Sequence, residues 1–212
     1  MRVVVLTGAG DRAFAAGADI KYMSGLDVEE AKEWGRLGHT VGALLETMPK
    51  ATIAAVNGFA LGGGCELALA CDFRYASSSA KLGQPEVNLG IIPGWGGTQR
   101  LARVCGVGVA KELIFTGRVV GAEEALRIGL VSALFEPGEL LERTLETASL
   151  IASKGPLAIA AAKEATNRAL QGAHSGNLER EADRFGELFS SADAKEGMTA
   201  FVEKREARFS GR

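Results

Sequence analysis

The sequence predicts an α/β protein. Short β-branched runs that read as strands alternate with longer stretches of helical periodicity, and beyond Pro137 the pattern turns almost wholly helical. No low-complexity linker or internal repeat divides the 212 residues. The change of pattern predicts an α/β core over residues 1–136 and a C-terminal helical region over residues 137–212.

Each element has its own signal. Residues 3–7 are β-branched and apolar without alternation, as in a strand buried on both faces. Residues 28–48 read as a long helix ended by Pro49. Residues 52–56 form a second strand, and a helix through residues 65–70 follows a triple glycine. Residues 73–76 and 81–83 read as short strands, and 98–104 and 109–115 as helices. A short helix at 123–128 leads to a strand at 130–135. Four helices follow, at about 138–153, 156–171, 176–190 and 193–207. They are amphipathic, with charged positions such as Glu179, Arg180, Glu181, Asp183 and Arg184 beside apolar ones, and such faces close a core.

Composition narrows the function classes. The chain is 47% hydrophobic and 24% charged, as globular domains tend to be. A net charge of −2 gives no overall attraction to nucleic acid or to an anionic membrane, and no basic stripe stands out. No apolar run approaches the length of a membrane span. Cys65, Cys71 and Cys105 show no C-x-x-C spacing and read as free thiols of a reducing cytosol, so a cytoplasmic location is expected. His39 and His174 are too few and too far apart for a metal site or a Ser-His-Asp triad.

The chemistry concentrates in glycine-rich loops. From Asn57 to Asp72 the chain reads N-G-F-A-L-G-G-G-C-E-L-A-L-A-C-D. Consecutive glycines are costly unless the backbone must take a shape that side chains forbid, or approach something closely. A helix starting at Gly63 or Gly64 aims free N–H groups back at that loop, an arrangement that holds negative charge. Glu66 stands in its first turn. An amide donor beside one carboxylate suggests an oxyanion stabilised together with proton transfer. The alternative is a tight strand-to-helix turn whose Glu only complements the helix dipole. A second loop, G-Q-P-E-V-N-L-G-I-I-P-G-W-G-G-T-Q-R over residues 83–100, is short of charge and places Glu86 between Pro85 and Val87. Poor solvation there would raise the pKa of an acid and suit it to trade protons near neutral pH. In a third loop, A-F-A-A-G-A-D-I over residues 13–20, small residues let a ligand lie against the backbone.

Together these segments resemble the enoyl-CoA hydratase/isomerase (crotonase) family. The ordered set F-A-A-G-A-D-I, A-L-G-G-G-C-E-L-A, G-Q-P-E, I-P-G-W-G-G-T-Q-R-L and E-G-M-T-A-F-V-E-K-R carries the resemblance from Val3 to Arg208. It implies a crotonase (ClpP-like) fold, with a repeated ββα spiral core and a C-terminal helical trimerisation region. It implies an oxyanion hole for a thioester carbonyl from the amides of Ala18 and Gly63, with Glu66 and Glu86 as the catalytic acids. Gly94 matches a position whose amide orients that assembly, and Ala16, Ala18, Asp19, Ile20, Leu61 and Gly62 match the CoA-bordering stretches. Lys21 and Lys204 match positions that approach the CoA phosphates, and Phe185 and Phe201 match aromatics that often line a neighbouring subunit's site.

The resemblance further implies an acyl-CoA substrate, no metal or redox cofactor, and a homo-oligomer, either a trimer or a dimer of trimers. Retention of both acids favours hydration of a trans-2-enoyl-CoA to a 3-hydroxyacyl-CoA over Δ3–Δ2 isomerisation or acyl-CoA binding without turnover. Trp95, where smaller residues also occur in the family, either shortens the acyl pocket or packs beneath it. Members of the family carry roughly 45–50 further residues ahead of the position matched by Met1, so the first strand is expected at a sheet edge.

A dinucleotide-binding fold is the rival reading. V-V-V-L-T-G-A-G-D-R-A fits a strand followed by G-x-G-x-x-A. That motif must open a helix at once, yet Ala13 leads into the glycine-broken F-A-A-G-A-D, and neither Tyr22 nor Tyr75 has a Lys four residues later.

Overall fold

The computed structural model describes residues 1–169 and 174–212. In chain order the elements are β1 (Val3–Thr7), β2 (Ala13–Ala15), α1 (Ile20–Met23), α2 (Val28–Thr47), β3 (Ala51–Val56), β4 (Phe59–Leu61) and α3 (Gly63–Ala70). There follow β5 (Phe73–Ser77), β6 (Lys81–Gly83), a 3-10 helix (Pro85–Leu89), α4 (Gly97–Cys105), α5 (Val107–Thr116), β7 (Val119–Gly121), α6 (Ala122–Arg127) and β8 (Ala133–Phe135). The chain closes with α7 (Leu140–Ala152), α8 (Pro156–Asn167), α9 (His174–Leu188) and α10 (Ala192–Glu203).

The strands form two four-stranded sheets, in the orders β1-β3-β5-β8 and β2-β4-β6-β7. β3 pairs with β5, β5 with β8, β2 with β4 and β4 with β6 in parallel, while β7 runs antiparallel to β6. β3 is buried at every residue, and an unalternating apolar strand suits that interior place. β1, read as buried on both faces, is instead half-buried over Val3–Leu6 and exposed at Thr7, because it lies at the sheet edge with β3 alone beside it.

The chain divides into two compact units. One comprises Val5–Glu46 and Thr52–Leu145; the other comprises Met1–Val4, Thr47–Ala51 and Glu146–Arg212. In the first unit, Ala54, Val56, Ala60, Ala68, Leu82, Leu101, Leu113 and Val120 belong to one buried apolar cluster. Small alanines on β3, β4 and α3 let the layers approach closely. Arg74 is buried in this unit yet satisfied: its Nε donates to Leu130 O at 2.8 Å and its Nη1 to Cys71 O at 3.1 Å. Because the carbonyls at a helix C-terminus lack intrahelical partners, Arg74 closes the end of α3 and holds it in place. Asn57 pins the loop before β2, accepting from Gly8 N at 3.0 Å and donating to Gly10 O at 2.9 Å.

In the second unit Asp193, on α10, accepts hydrogen bonds from the amides of Ser210 at 2.6 Å and Gly211 at 2.9 Å, fixing the C-terminal tail. Arg2 Nη2 donates to Phe209 O at 2.9 Å, and Lys163 Nζ to Lys50 O at 3.0 Å.

The alternation of strands and helices appears as expected, with several differences, among them that the helix expected over 193–207 ends at Glu203. The expected strand at 130–135 is confined to Ala133–Phe135. Leu130 and Val131 are buried, but both amides donate to Ala125 O, so the chain turns there instead of pairing. The second sheet was not anticipated, because β2, β4 and β7 are three residues each and too short to show alternation. The helix expected over 156–171 ends at Asn167, and positions 170 and 171 lie outside the described residues. Among the described residues, no helix is long and apolar enough to cross a membrane.

Candidate active site

The two carboxylates come from two different turns of the chain. Glu66 stands in the first turn of α3. The turn ahead of it needs glycine twice over. Gly62 holds φ +52°, a left-handed conformation costly to other residues, and donates to Gly83 O at 3.0 Å. At Gly64 a Cβ would lie 1.9 Å from Ala15 O, so only glycine lets α3 start against β2.

Glu66 is 2% exposed. Its Oε1 accepts from the amides of Trp95 and Gly97, each at 2.7 Å. The P-G-W-G-G loop aims both donors at one oxygen by turning through Gly96 at φ +103° before α4 begins. Burial pushes the Glu66 pKa up from the ordinary value, and the Gly97 and Trp95 amides oppose that rise by favouring the charged form.

Glu86 stands in the first turn of the 3-10 helix, behind Pro85, and is 9% exposed. Gln84 is fully buried, and its amide nitrogen, turned toward the acceptors around it, donates to Glu86 Oε1 at 2.8 Å and Oε2 at 3.1 Å. Burial first, and the charge of Glu66 second, push the Glu86 pKa up to about 7. The pair is therefore differentiated: Glu66 is tied to two backbone donors, while Glu86 is poised to hold a proton at neutral pH.

Both acids line one cavity of about 880 Å³. Ala16, Ala18, Ile20, Leu61, Gly62, Gly63 and Gly94 also border it. A Cβ placed on Gly63 would lie 3.7 Å from Ala18 N, so the two expected oxyanion residues are neighbours, and one on Gly62 would lie 3.1 Å from Glu86 Oε1. Trp34, Trp95, Leu89, Ile91 and Ile92 give the cavity an apolar side.

Two of the expected CoA contacts in this unit, Asp19 and Lys21, lie outside this lining. Asp19 caps α1, accepting from Tyr22 N at 3.0 Å, and Lys21 is exposed on the same short helix. Phe185, Phe201 and Lys204 belong to the second unit. There Phe185 and Phe201 are exposed on α9 and α10, and Lys204 ends α10 in a left-handed conformation. His39 is exposed on α2. Among the described residues no cluster of three or more His, Cys, Asp or Glu could hold a metal ion.

Sequence reasoning missed Gln84 and the amides of Trp95 and Gly97, having given the orienting amide to Gly94. Gln84 had a visible signal, a polar residue two positions before an acid in a loop otherwise short of polar groups. Gly97 had none, because which amides of a glycine-rich loop face an acid depends on the turn itself.

Comparison with known proteins gives the family of the chain. The enoyl-CoA hydratase/isomerase family model matches residues 1–212. The chain is 54% identical over 209 residues to a crotonyl-CoA hydratase of Syntrophomonas wolfei, covering 99% of this chain and 80% of that protein. It is 54% identical over 202 residues to a short-chain-enoyl-CoA hydratase of Clostridium acetobutylicum, covering 95% and 77%. The crystal structure of an enoyl-CoA hydratase from Bacillus anthracis superposes with a TM-score of 0.96 at 47% identity, covering 100% of this chain and 82% of that one. With the family model over residues 1–212, relatives of this identity and this superposition, the chain belongs to the enoyl-CoA hydratase/isomerase (crotonase) family and adopts its fold.

Proposed function

We propose that the protein is an enoyl-CoA hydratase that adds water across the double bond of a trans-2-enoyl-CoA to give a 3-hydroxyacyl-CoA. The observation that carries this reading is the pair of buried carboxylates, Glu66 and Glu86, lining one cavity beside Ala18 and Gly63. The two relatives at 54% identity carry hydratase names and support it.

The thioester carbonyl lies at the amides of Ala18 and Gly63. Attack at Cβ pushes charge onto that oxygen, and each aimed N–H is worth roughly 3–4 kcal/mol to the developing enolate. Glu66 acts as base. Water oxygen bonds to Cβ, one water proton passes to Glu66, and the alkene electrons move toward Cα and the carbonyl. Glu86, holding a proton up to a pH of about 7, delivers it to Cα. The proton gained by Glu66 then returns through water to Glu86. Trp95 N and Gly97 N fix the base, so its free oxygen faces the water.

Ala16, Ala18, Asp19, Ile20, Leu61 and Gly62 border the CoA portion, Lys21 and Lys204 approach its phosphates, and the Gly94 amide helps orient the water and the two acids. The protein assembles as a homo-oligomer, a trimer or dimer of trimers, with Phe185 and Phe201 facing a neighbouring subunit; their exposure, 64% and 85%, supports a covered role. A cytoplasmic location fits free Cys65, Cys71 and Cys105.

The test is loss of the conjugated enoyl-thioester absorbance on mixing with crotonyl-CoA. Turnover is expected, and Glu66→Gln is expected to lower it roughly 10²–10⁴-fold while CoA binding survives. Full turnover by Glu66→Gln would overturn the role given to that residue.

A further inference from the structure

We propose that Trp95 is the end wall of the acyl pocket and restricts the enzyme to short enoyl chains. This rests on the hydratase reading above and adds the class of substrate. Its ground is the position of the indole relative to the reacting groups. A Cβ at Gly63 would lie 3.7 Å from the Ala18 amide and 3.1–3.2 Å from Cε3 and Cζ3 of the Trp95 ring. The ring edge therefore stands next to the place where the thioester carbonyl binds. The Trp95 amide also holds Glu66 at 2.7 Å, so ring and base are anchored to one residue. Carbons beyond Cβ must pass this ring.

The ring has little freedom to move aside. Indole Nε1 donates to Trp34 O at 3.1 Å, and the two indoles meet at 5.3 Å between centroids, tilted by 53°. On the α2 side the ring fills the space a side chain would occupy at Gly38, where a Cβ would fall 2.0 Å from Cγ and Cδ1. Arg100, ion-paired with Glu46, donates to the Trp95 carbonyl at 2.7 Å. Ring, hydrogen bond and carbonyl are thus tied to α2 and α4, and a longer chain must displace a packed indole. A hydrophobic pocket discriminates by roughly 10–200-fold per methylene where the extra carbon does not fit.

The experiment compares kcat/KM of the full chain on crotonyl-, trans-2-hexenoyl-, trans-2-octenoyl- and trans-2-decenoyl-CoA with that of Trp95→Ala and Trp95→Leu. The wild type is expected to lose at least roughly tenfold between the crotonyl and octenoyl substrates. In either variant the octenoyl-to-crotonyl ratio is expected to rise at least roughly tenfold, whatever happens to the absolute rates. The readout is this ratio because the Trp95 amide also serves Glu66. If Trp95→Ala fails to fold, Trp95→Leu and the wild-type profile still decide. A wild type that hydrates octenoyl-CoA as well as crotonyl-CoA, or an unchanged ratio in a folded variant, overturns the proposal. Hydration of none of the four would instead overturn the hydratase reading.

Discussion

Replacing Glu86 by Gln should make the protein more stable and less active at alkaline pH, and both effects follow from the same burial. Glu86 is pushed from an ordinary 4.5 to about 7, first by burial and second by Glu66. In the unfolded chain the group titrates near its ordinary value. A folded pKa above the unfolded one gives stability that is fully present below pH 4.5 and lost as pH rises through about 7. The gap of about 2.5 pH units, at about 1.4 kcal/mol each, amounts to roughly 3–4 kcal/mol, of which about 3 kcal/mol falls between pH 4.5 and pH 8. Gln is nearly the same shape and carries no charge, so it escapes that loss. Urea unfolding of both proteins at pH 4.5 and pH 8 measures it. The stability advantage of the variant should grow by about 3 kcal/mol between the two, a relative midpoint shift of roughly 1–3 M urea. The same variant should hydrate roughly 10²–10⁴-fold more slowly, and the wild-type fall in kcat/KM above about pH 7 should disappear from its profile. Unfolding midpoints that stay parallel across this pH range would refute the claim that burial holds the Glu86 proton.

Gln84→Leu removes the N–H donors from both oxygens of Glu86, so the alkaline limb of the kcat/KM profile should move to higher pH and kcat should fall; a profile identical to wild type counts against Gln84 as a positioning residue. Arg74→Leu strips partners from the carbonyls of Leu130 and Cys71 and should cost roughly 3 kcal/mol of stability, read as a lower thermal midpoint, while the unfolding-corrected rate stays within a fewfold of wild type.

Both acids were legible in the sequence because each stands beside residues with few other uses. Glu66 follows three glycines, and the structure explains two of these by a left-handed turn at Gly62 and by Ala15 O, which leaves no room for a Cβ at Gly64. Glu86 follows a proline in a loop short of charge, and it is buried there. The long elements were legible for the same reason: α2 shows its period over twenty residues, and β3 is apolar throughout. The second sheet was not, since three-residue strands such as β4 owe their pairing to parallel neighbours far away in sequence. Leu130 and Val131 read as strand because burial alone makes a residue apolar; only the pull of Ala125 O on their amides reveals a turn. The Trp95 ring packs on Gly38 and Gly63 and also borders the cavity, a place its sequence neighbours alone do not reveal.

In the proposed reaction, that geometry links reactivity to selectivity through a single loop. The P-G-W-G-G segment supplies two amides to Glu66, opens α4 at Gly97 and presents the indole of Trp95 to the cavity. Its backbone cannot shift to admit a longer acyl chain without also loosening the base, because Trp95 N and Gly97 N end on the same carboxylate oxygen. A side-chain change at position 95 can alter the space while leaving both amides in place. Backbone changes at Gly96, which holds φ +103° and has Arg100 Nη1 2.2 Å from where a Cβ would stand, cannot do so. In the proposed reaction, acyl length and proton transfer are therefore separable at the level of the Trp95 side chain and inseparable at the level of the loop that carries it.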